Sequence, residues 1–187
     1  MAAKLIDLSF TLNGRKVKVQ IAPDTVLFAL LREQGCASVR CACETTNCGL
    51  CTVWLDGDPV LSCSVPAARV EGHTITTLEG LKAESEALAR AMAAEGAEQC
   101  GFCAPGLIMN VLALVRAAKE DPSLVATREE LSRQLAGNLC RCSGYESQLR
   151  AIVRFLNESG VQVGFEMPEL PVNDTSCDGV SYKQITH

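Results

Sequence analysis

Residues 43–63 read CETTNCGLCTVWLDGDPVLSC. Cys43, Cys48 and Cys51 fall in a C-x4-C-x2-C loop, and Cys63 ends the stretch. Between Cys51 and Cys63 the apolar residues lie either side of Asp56-Gly57, a dipeptide that supplies the two positive-φ positions of a tight hairpin turn. The pattern predicts strands over residues 52–55 and 60–63. Working back towards the N-terminus, Ile6, Leu8, Phe10 and Leu12 alternate with polar residues, as do Val17, Val19 and Ile21. Asn13-Gly14 between the two runs predicts a second hairpin. Asp24 and Thr25 are candidate caps for a short helix over residues 26–34 that stops at Gly35. Hairpin, helix, cysteine loop and hairpin suit a compact half-sheet with one helix packed across it.

Beyond residue 80 the period changes. Residues 85–95 are alanine-rich and end at Gly96. Pro105 suits a first helical turn, after which Leu107, Ile108, Val111, Leu112 and Val115 recur every three or four residues. Thr127-Arg128-Glu129-Glu130 reads as a capping box opening a helix that stops at Gly137. A last helix runs over residues 145–158, with Leu149, Ile152, Val153 and Leu156 on one face. The expected organisation is α+β: a mixed-β domain over 1–79, an all-α domain of four helices over 80–160, and an extended tail over 161–187. The tail holds Pro168 and Pro171, has no period, and reads as needing a partner to order it.

Two of the links between those helices carry cysteines. Gln99 to Gly106 reads QCGFCAPG and Gly137 to Tyr145 reads GNLCRCSGY, so Cys100, Cys103, Cys140 and Cys142 form a second quartet. Eight of the eleven cysteines thus fall into two sets of four. The N-terminus, MAAKLIDLSF, lacks the apolar core of a secretory signal, which predicts a cytoplasmic chain in which paired cysteines are metal ligands rather than disulfides. Zinc knuckles use C-x2-C in both halves, and neither quartet does. C-x4-C-x2-C followed by a distant cysteine is the spacing of a plant-type 2Fe-2S ferredoxin loop. Gly49 lets the main chain approach the inorganic core. Cys41 is the register competitor of Cys43 but would give an x6 gap. Cys36 reads as a small buried residue, Cys177 as inert, Trp54 as core, and Arg141 either as a charge offset or as a solvated arginine.

Other chemistry is scarce. There are two histidines, His73 and His187, and no nucleophile elbow or phosphate loop. A net charge of −5 and a pI of about 5.1 argue against nucleic acid or an anionic membrane surface. The apolar runs are too short and interrupted to span a bilayer. The residues predict a protein that carries electrons.

The order CETTNCGLCTVWLDG, Ser62-Cys63, QCGFCAPG and GNLCRCSGY resembles the iron–sulfur subunit of the xanthine oxidase family of molybdenum hydroxylases, over residues 4–158. The resemblance implies a β-grasp ferredoxin-like domain and a four-helix domain, each with one 2Fe-2S cluster. It also implies a large subunit that binds the molybdenum–pterin cofactor and an FAD-binding subunit. In such an assembly Cys100, Cys103, Cys140 and Cys142 hold the cluster beside the pterin, and Gln99 hydrogen-bonds the pterin. Cys43, Cys48, Cys51 and Cys63 hold the cluster that passes electrons towards FAD. This chain departs from the family's glycine-rich first loop with Ala42, Glu44, Thr45 and Thr46, and has Ala104 and Ser143 where threonine is common. The competing readings are a free-standing two-cluster carrier and a zinc-stabilised module. The substrate would be contacted only by another chain.

Overall fold

Leu8, Phe10 and Leu12 of strand β1 (Ile6–Leu12) turn into one apolar core, and the residues between them stay at the surface. The alternation is the period-2 geometry of a pleated strand. β1 pairs antiparallel with β2 (Arg15–Ile21), and Asn13 (φ 50°) and Gly14 (φ 78°) form the turn. The second hairpin joins β3 (Thr52–Leu55) to β4 (Asp58–Leu61) through Asp56 (φ 53°) and Gly57 (φ 100°). A short strand β5 (Thr74–Thr76) then inserts between β1 and β3, giving the order β2-β1-β5-β3-β4. The β1–β5 pair is parallel and the rest antiparallel. β4 begins two residues earlier than its sequence pattern suggests, and Cys63 lies past its end in a 3-10 turn (Ser62–Ser64). The structure, a computed structural model, describes residues 4–121 and 123–167.

Helix α1 (Leu27–Glu33) lies across one face of this sheet and buries Leu27, Leu30 and Leu31. Neither Asp24 nor Thr25 caps it. Its N-cap is Val26, with no side-chain bond, because the chain is held by its neighbours instead: Leu27 N–H donates to Val65 O (2.8 Å) and Ala67 N–H to Thr25 O (2.8 Å). Tertiary backbone bonds here do the work that a capping side chain does at an isolated end.

The other face of the sheet is covered at β3 and β4. Val53 belongs to the sheet core, whereas its neighbour Trp54 points to the opposite side and belongs to the helical core. There it meets α3 (Ala104–Glu120), and its indole N–H donates to Met109 O at 3.0 Å. The expected half-sheet with one helix is therefore closed on its second face by a helix of the other half.

That other half comprises α2 (Lys82–Ala94), α3, α4 (Arg128–Leu135) and α5 (Tyr145–Glu158) around Leu88, Met92, Leu107, Leu131, Ile152 and Leu156. At α4 only half of the capping box forms. Thr127 Oγ1 accepts from Glu130 N–H (3.1 Å), but the Glu130 carboxylate turns to Arg133 and Gln134. After α5 the chain does not leave the body at residue 161. Val161 is buried in the helical core, and Val163, Phe165 and Met167 pack against it. Ala126 N–H donates to Gln162 O (2.9 Å), and Gly164 N–H donates to Ala126 O (3.1 Å). The expected extended tail is thus packed over its first seven residues; Cys177 and the rest of that segment lie outside the described residues. No described helix is long and apolar enough to cross a membrane.

Candidate metal centres

The first cysteine loop is shaped by left-handed residues. Glu44 (φ 49°), Thr46 (φ 59°) and Gly49 (φ 72°) all have positive φ. This turns backbone N–H groups inward: those of Asn47 and Thr45 reach the Cys43 sulfur and bring its pKa down to about 6. Cys43 meets Cys48, which burial pushes up even though the N–H groups of Leu50 and Ala42 also face it. Cys51, at the start of β3, meets Cys63, which burial and then the Cys51 thiol push up to about 12. Two buried hydroxyls fix the carbonyls of this loop: Thr52 donates to Gly49 O (2.7 Å) and Ser62 to Cys51 O (2.7 Å). Cys41 lies close enough for its charge to act on Cys63, after that of Cys51, but Cys43 is the partner of Cys48. Cys36 is buried in the sheet core.

The second quartet comes from two interhelical links, α2–α3 and α4–α5. Cys103 is the N-cap of α3, and Cys100 precedes it across Gly101 (φ 69°). Cys140 and Cys142 lie before Ser143 (φ 58°), the turn into α5. Cys103 meets Cys140 and Cys100 meets Cys142. Burial, followed by the Cys140 thiol, pushes Cys103 up to about 11. Burial works to raise Cys140, but the Gly144 N–H (3.4 Å from its sulfur) and the Cys103 thiol outweigh it and lower its pKa. The Phe102 N–H and Cys142 lower Cys100, while the Cys100 side chain raises Cys142. Tyr145 OH accepts from Cys140 N–H at 2.8 Å. Gln99 is exposed beside this group, and its amide donates to Cys142 O at 3.2 Å. Arg141 is exposed, so its charge stands in solvent.

The thiols therefore meet in twos: 43 with 48, 51 with 63, 100 with 142 and 103 with 140. Among the described residues no three His, Cys, Asp or Glu side chains converge on one point, as a mononuclear ion would require. Four thiols at each site would hold a 2Fe-2S core, which would supply one-electron acceptance and release. The bound metal replaces the thiol protons, and the inward N–H groups stabilise the negative sulfurs. The residues fit such a core at each site.

The two sites are tied by backbone. Leu139 N–H donates to Cys48 O at 3.0 Å, and Leu139 immediately precedes Cys140. Gly49, Gly106 and Gly137 meet here; a Cβ on Gly49 would run into Gly137 O, and one on Gly106 into Gly49 O. Arg40 reaches across to Gly101 O (2.6 Å) and Phe102 O (2.9 Å) and stacks on the Phe102 ring.

Sequence reasoning missed one site residue. Gln148 is buried on α5, with its amide N–H 3.4 Å from Cys103 Sγ. Its signal was available. Gln148 stands four residues before Ile152 and eight before Leu156, on the row that helical periodicity assigns to the core.

Comparison with known proteins agrees with this geometry. Residues 10–76 match the family described as 2Fe-2S iron-sulfur cluster binding domain, and residues 77–153 match the 2Fe-2S binding domain. The xanthine dehydrogenase iron-sulfur-binding subunit of Escherichia coli O157:H7 is 42% identical over 154 residues, covering 81% of this chain and 94% of that one. The nicotinate dehydrogenase small FeS subunit of Eubacterium barkeri is 38% identical, covering 82% and 96%. Among solved structures, quinoline 2-oxidoreductase from Pseudomonas putida 86 superposes with a TM-score of 0.74 at 33% identity, over 84% of this chain and 98% of that one. With two 2Fe-2S domains in tandem and near full-length likeness to the small subunits of such dehydrogenases, the chain belongs to the electron-transferring iron–sulfur subunits of the xanthine oxidase family of molybdenum hydroxylases.

Proposed function

We propose that Cys43, Cys48, Cys51 and Cys63 hold the first 2Fe-2S cluster and Cys100, Cys103, Cys140 and Cys142 the second. The observation that carries the assignment is the meeting of the eight sulfurs in four pairs, each quartet surrounded by inward backbone N–H groups. When bound, the clusters supply one-electron acceptance and release between a molybdenum–pterin site in a large subunit and FAD in another. The chain's own residues set the route between them. Cys48 O and the Leu139 N–H join one ligand loop to the other, so a single hydrogen bond separates the covalent chains leading to the Cys48 and Cys140 sulfurs. Gln99, exposed at the second site, faces outward where the pterin would approach and holds the Cys142 carbonyl by its amide.

The same reading places the domain boundary at residues 79 and 80, with a β-grasp unit before it and a four-helix unit after it. It makes the segment 161–187 an assembly element towards the partner subunits and places the complex in the cytoplasm. That the relatives named above are subunits of dehydrogenases disfavours a free-standing carrier.

Iron and sulfide analysis with EPR of the reduced chain tests the assignment. The expected result is about four irons and four sulfides in two distinct clusters. Serine at Cys103 or Cys142 is expected to remove only the second signal. Stoichiometric zinc, or loss of the first signal on Cys41→Ser with retention on Cys43→Ser, overturns it.

A further inference from the structure

We infer that Gln148 sets the reduction potential of the second cluster, as a side-chain amide donor to the Cys103–Cys140 sulfur pair. The inference rests on the ligand assignment above. Gln148 is only 5% exposed, and such a polar group is buried only where it has partners. Its Nε2 lies 3.4 Å from Cys103 Sγ and also acts on Cys140. A Cβ built on Gly144 would be 3.7 Å from that Nε2 and 3.8 Å from Cys140 Sγ, so amide and sulfur border one small volume beside Gly144. The backbone also orients the residue: Gln148 N–H donates to Gly144 O at 2.8 Å in the first turn of α5.

The contrast with the first site isolates the effect. Every N–H that reaches the Cys43 and Cys48 sulfurs comes from the main chain. Among the described residues no side-chain amide reaches any of the first quartet. Main-chain donors accompany the loop fold and cannot be exchanged by substitution. A side-chain amide can, so it is the place where this chain adjusts one cluster without the other. An N–H pointing at sulfur binds more strongly as negative charge accumulates there, and it therefore favours the reduced cluster and raises its potential. Gln148 thereby makes the second cluster a readier electron acceptor than its main-chain donors alone would.

The test is an EPR-monitored redox titration of the complete complex carrying Gln148→Leu or Gln148→Glu. Cluster content, from iron analysis and the two EPR signals, reports separately on the ligand assignment. With both clusters present, Gln148→Leu is expected to shift the reduction equilibrium of the second cluster about tenfold towards the oxidised form, about 59 mV for a one-electron couple. The first cluster should stay in place. In Gln148→Glu the ionised carboxylate offers no donor and adds negative charge, so the second potential falls further. A role in packing alone would not shift one potential while both clusters stay in place. Unchanged potentials in both variants, equal shifts of both clusters, or loss of the second cluster in both variants would each overturn the inference.

Discussion

Gly49 is fixed by two constraints at once, a positive φ and a blocked Cβ position. Its φ is 72°, and the position of a Cβ is already occupied by the Gly137 carbonyl and the Asn138 amide of the helical half. Gly49→Ala must therefore open the contact between the two halves beside the first cluster. The expected cost is about 1–3 kcal/mol, the range for a non-glycine residue held in a sparsely populated backbone region. Urea unfolding of the loaded protein measures it, and a stability equal to that of the parent would contradict the clash. The same loop already tolerates Glu44 and Thr46 at positive φ, but those side chains are exposed. At this scale the cysteines were the legible part of the candidate site, because three members of one quartet lie close in sequence, as do the two members of each half of the other, and their spacing is itself the signal. Gln148 was half legible, as a polar residue on an apolar row. Arg40, which donates to the carbonyls on either side of the Gly101–Phe102 bond, was not, since nothing local marks a surface arginine as one that spans two domains.

Between elements, the decisive contact is the packing of β3 on α3. Trp54 fills it, with Arg116 stacked over its ring at 4.8 Å and its N–H on Met109 O. Trp54→Phe keeps most of the apolar contact but removes the indole bond to Met109 O, a carbonyl that keeps its own helical donor in α3, at an expected cost of about 0.5–1.5 kcal/mol. Thermal unfolding should show the loss with both cluster spectra unchanged, because no cluster ligand touches the indole. Period-2 alternation made the strands legible, and it implied that Val53 and Trp54 face opposite ways; what covers the second face was not written in either segment. The same period runs through Val161, Val163, Phe165 and Met167, and Pro168 and Pro171 break it just beyond. These four residues alternate as a strand does, and the bridge to Ala126 uses that alternation to place their side chains on the helical core. The missing cap of α1 has the complementary cause: residues 65 and 67 satisfy the helix entry from far along the chain, and no local pattern announces them.

Across the whole molecule, the passage from sheet to helices is held by groups that leave no mark in the sequence. Glu79, at the passage from sheet to helices, accepts from Ser38 N–H (2.8 Å), Ser38 Oγ (2.7 Å) and the Thr77 hydroxyl. Burial acts to raise its pKa, but these donors outweigh burial and hold it below the ordinary glutamate value. A carboxyl with a depressed folded pKa stabilises the fold above its unfolded pKa and loses that contribution as the pH falls through the folded one. Glu79→Gln is therefore expected to flatten the acid limb of the stability curve below about pH 4.3, the ordinary glutamate value, which urea midpoints across pH would show; an unaltered limb would assign acid sensitivity elsewhere. The coupling between the two metal centres is also backbone, Leu139 N–H to Cys48 O, and so depends on both loops being held in shape. Each loop carries its own set of four thiols, drawn in the second case from two links whose direct bond is that of Gln99 to Cys142 O. Iron removal by a chelator should then free the links before the sheet. Amide exchange is expected to quicken at Leu139 and Gly144, whose partners are Cys48 O and Cys140 Sγ, while the β1–β2 ladder, seven residue pairs long, stays protected. Equal loss of protection in the ladder would mean that the clusters support the whole chain rather than the junction between its halves.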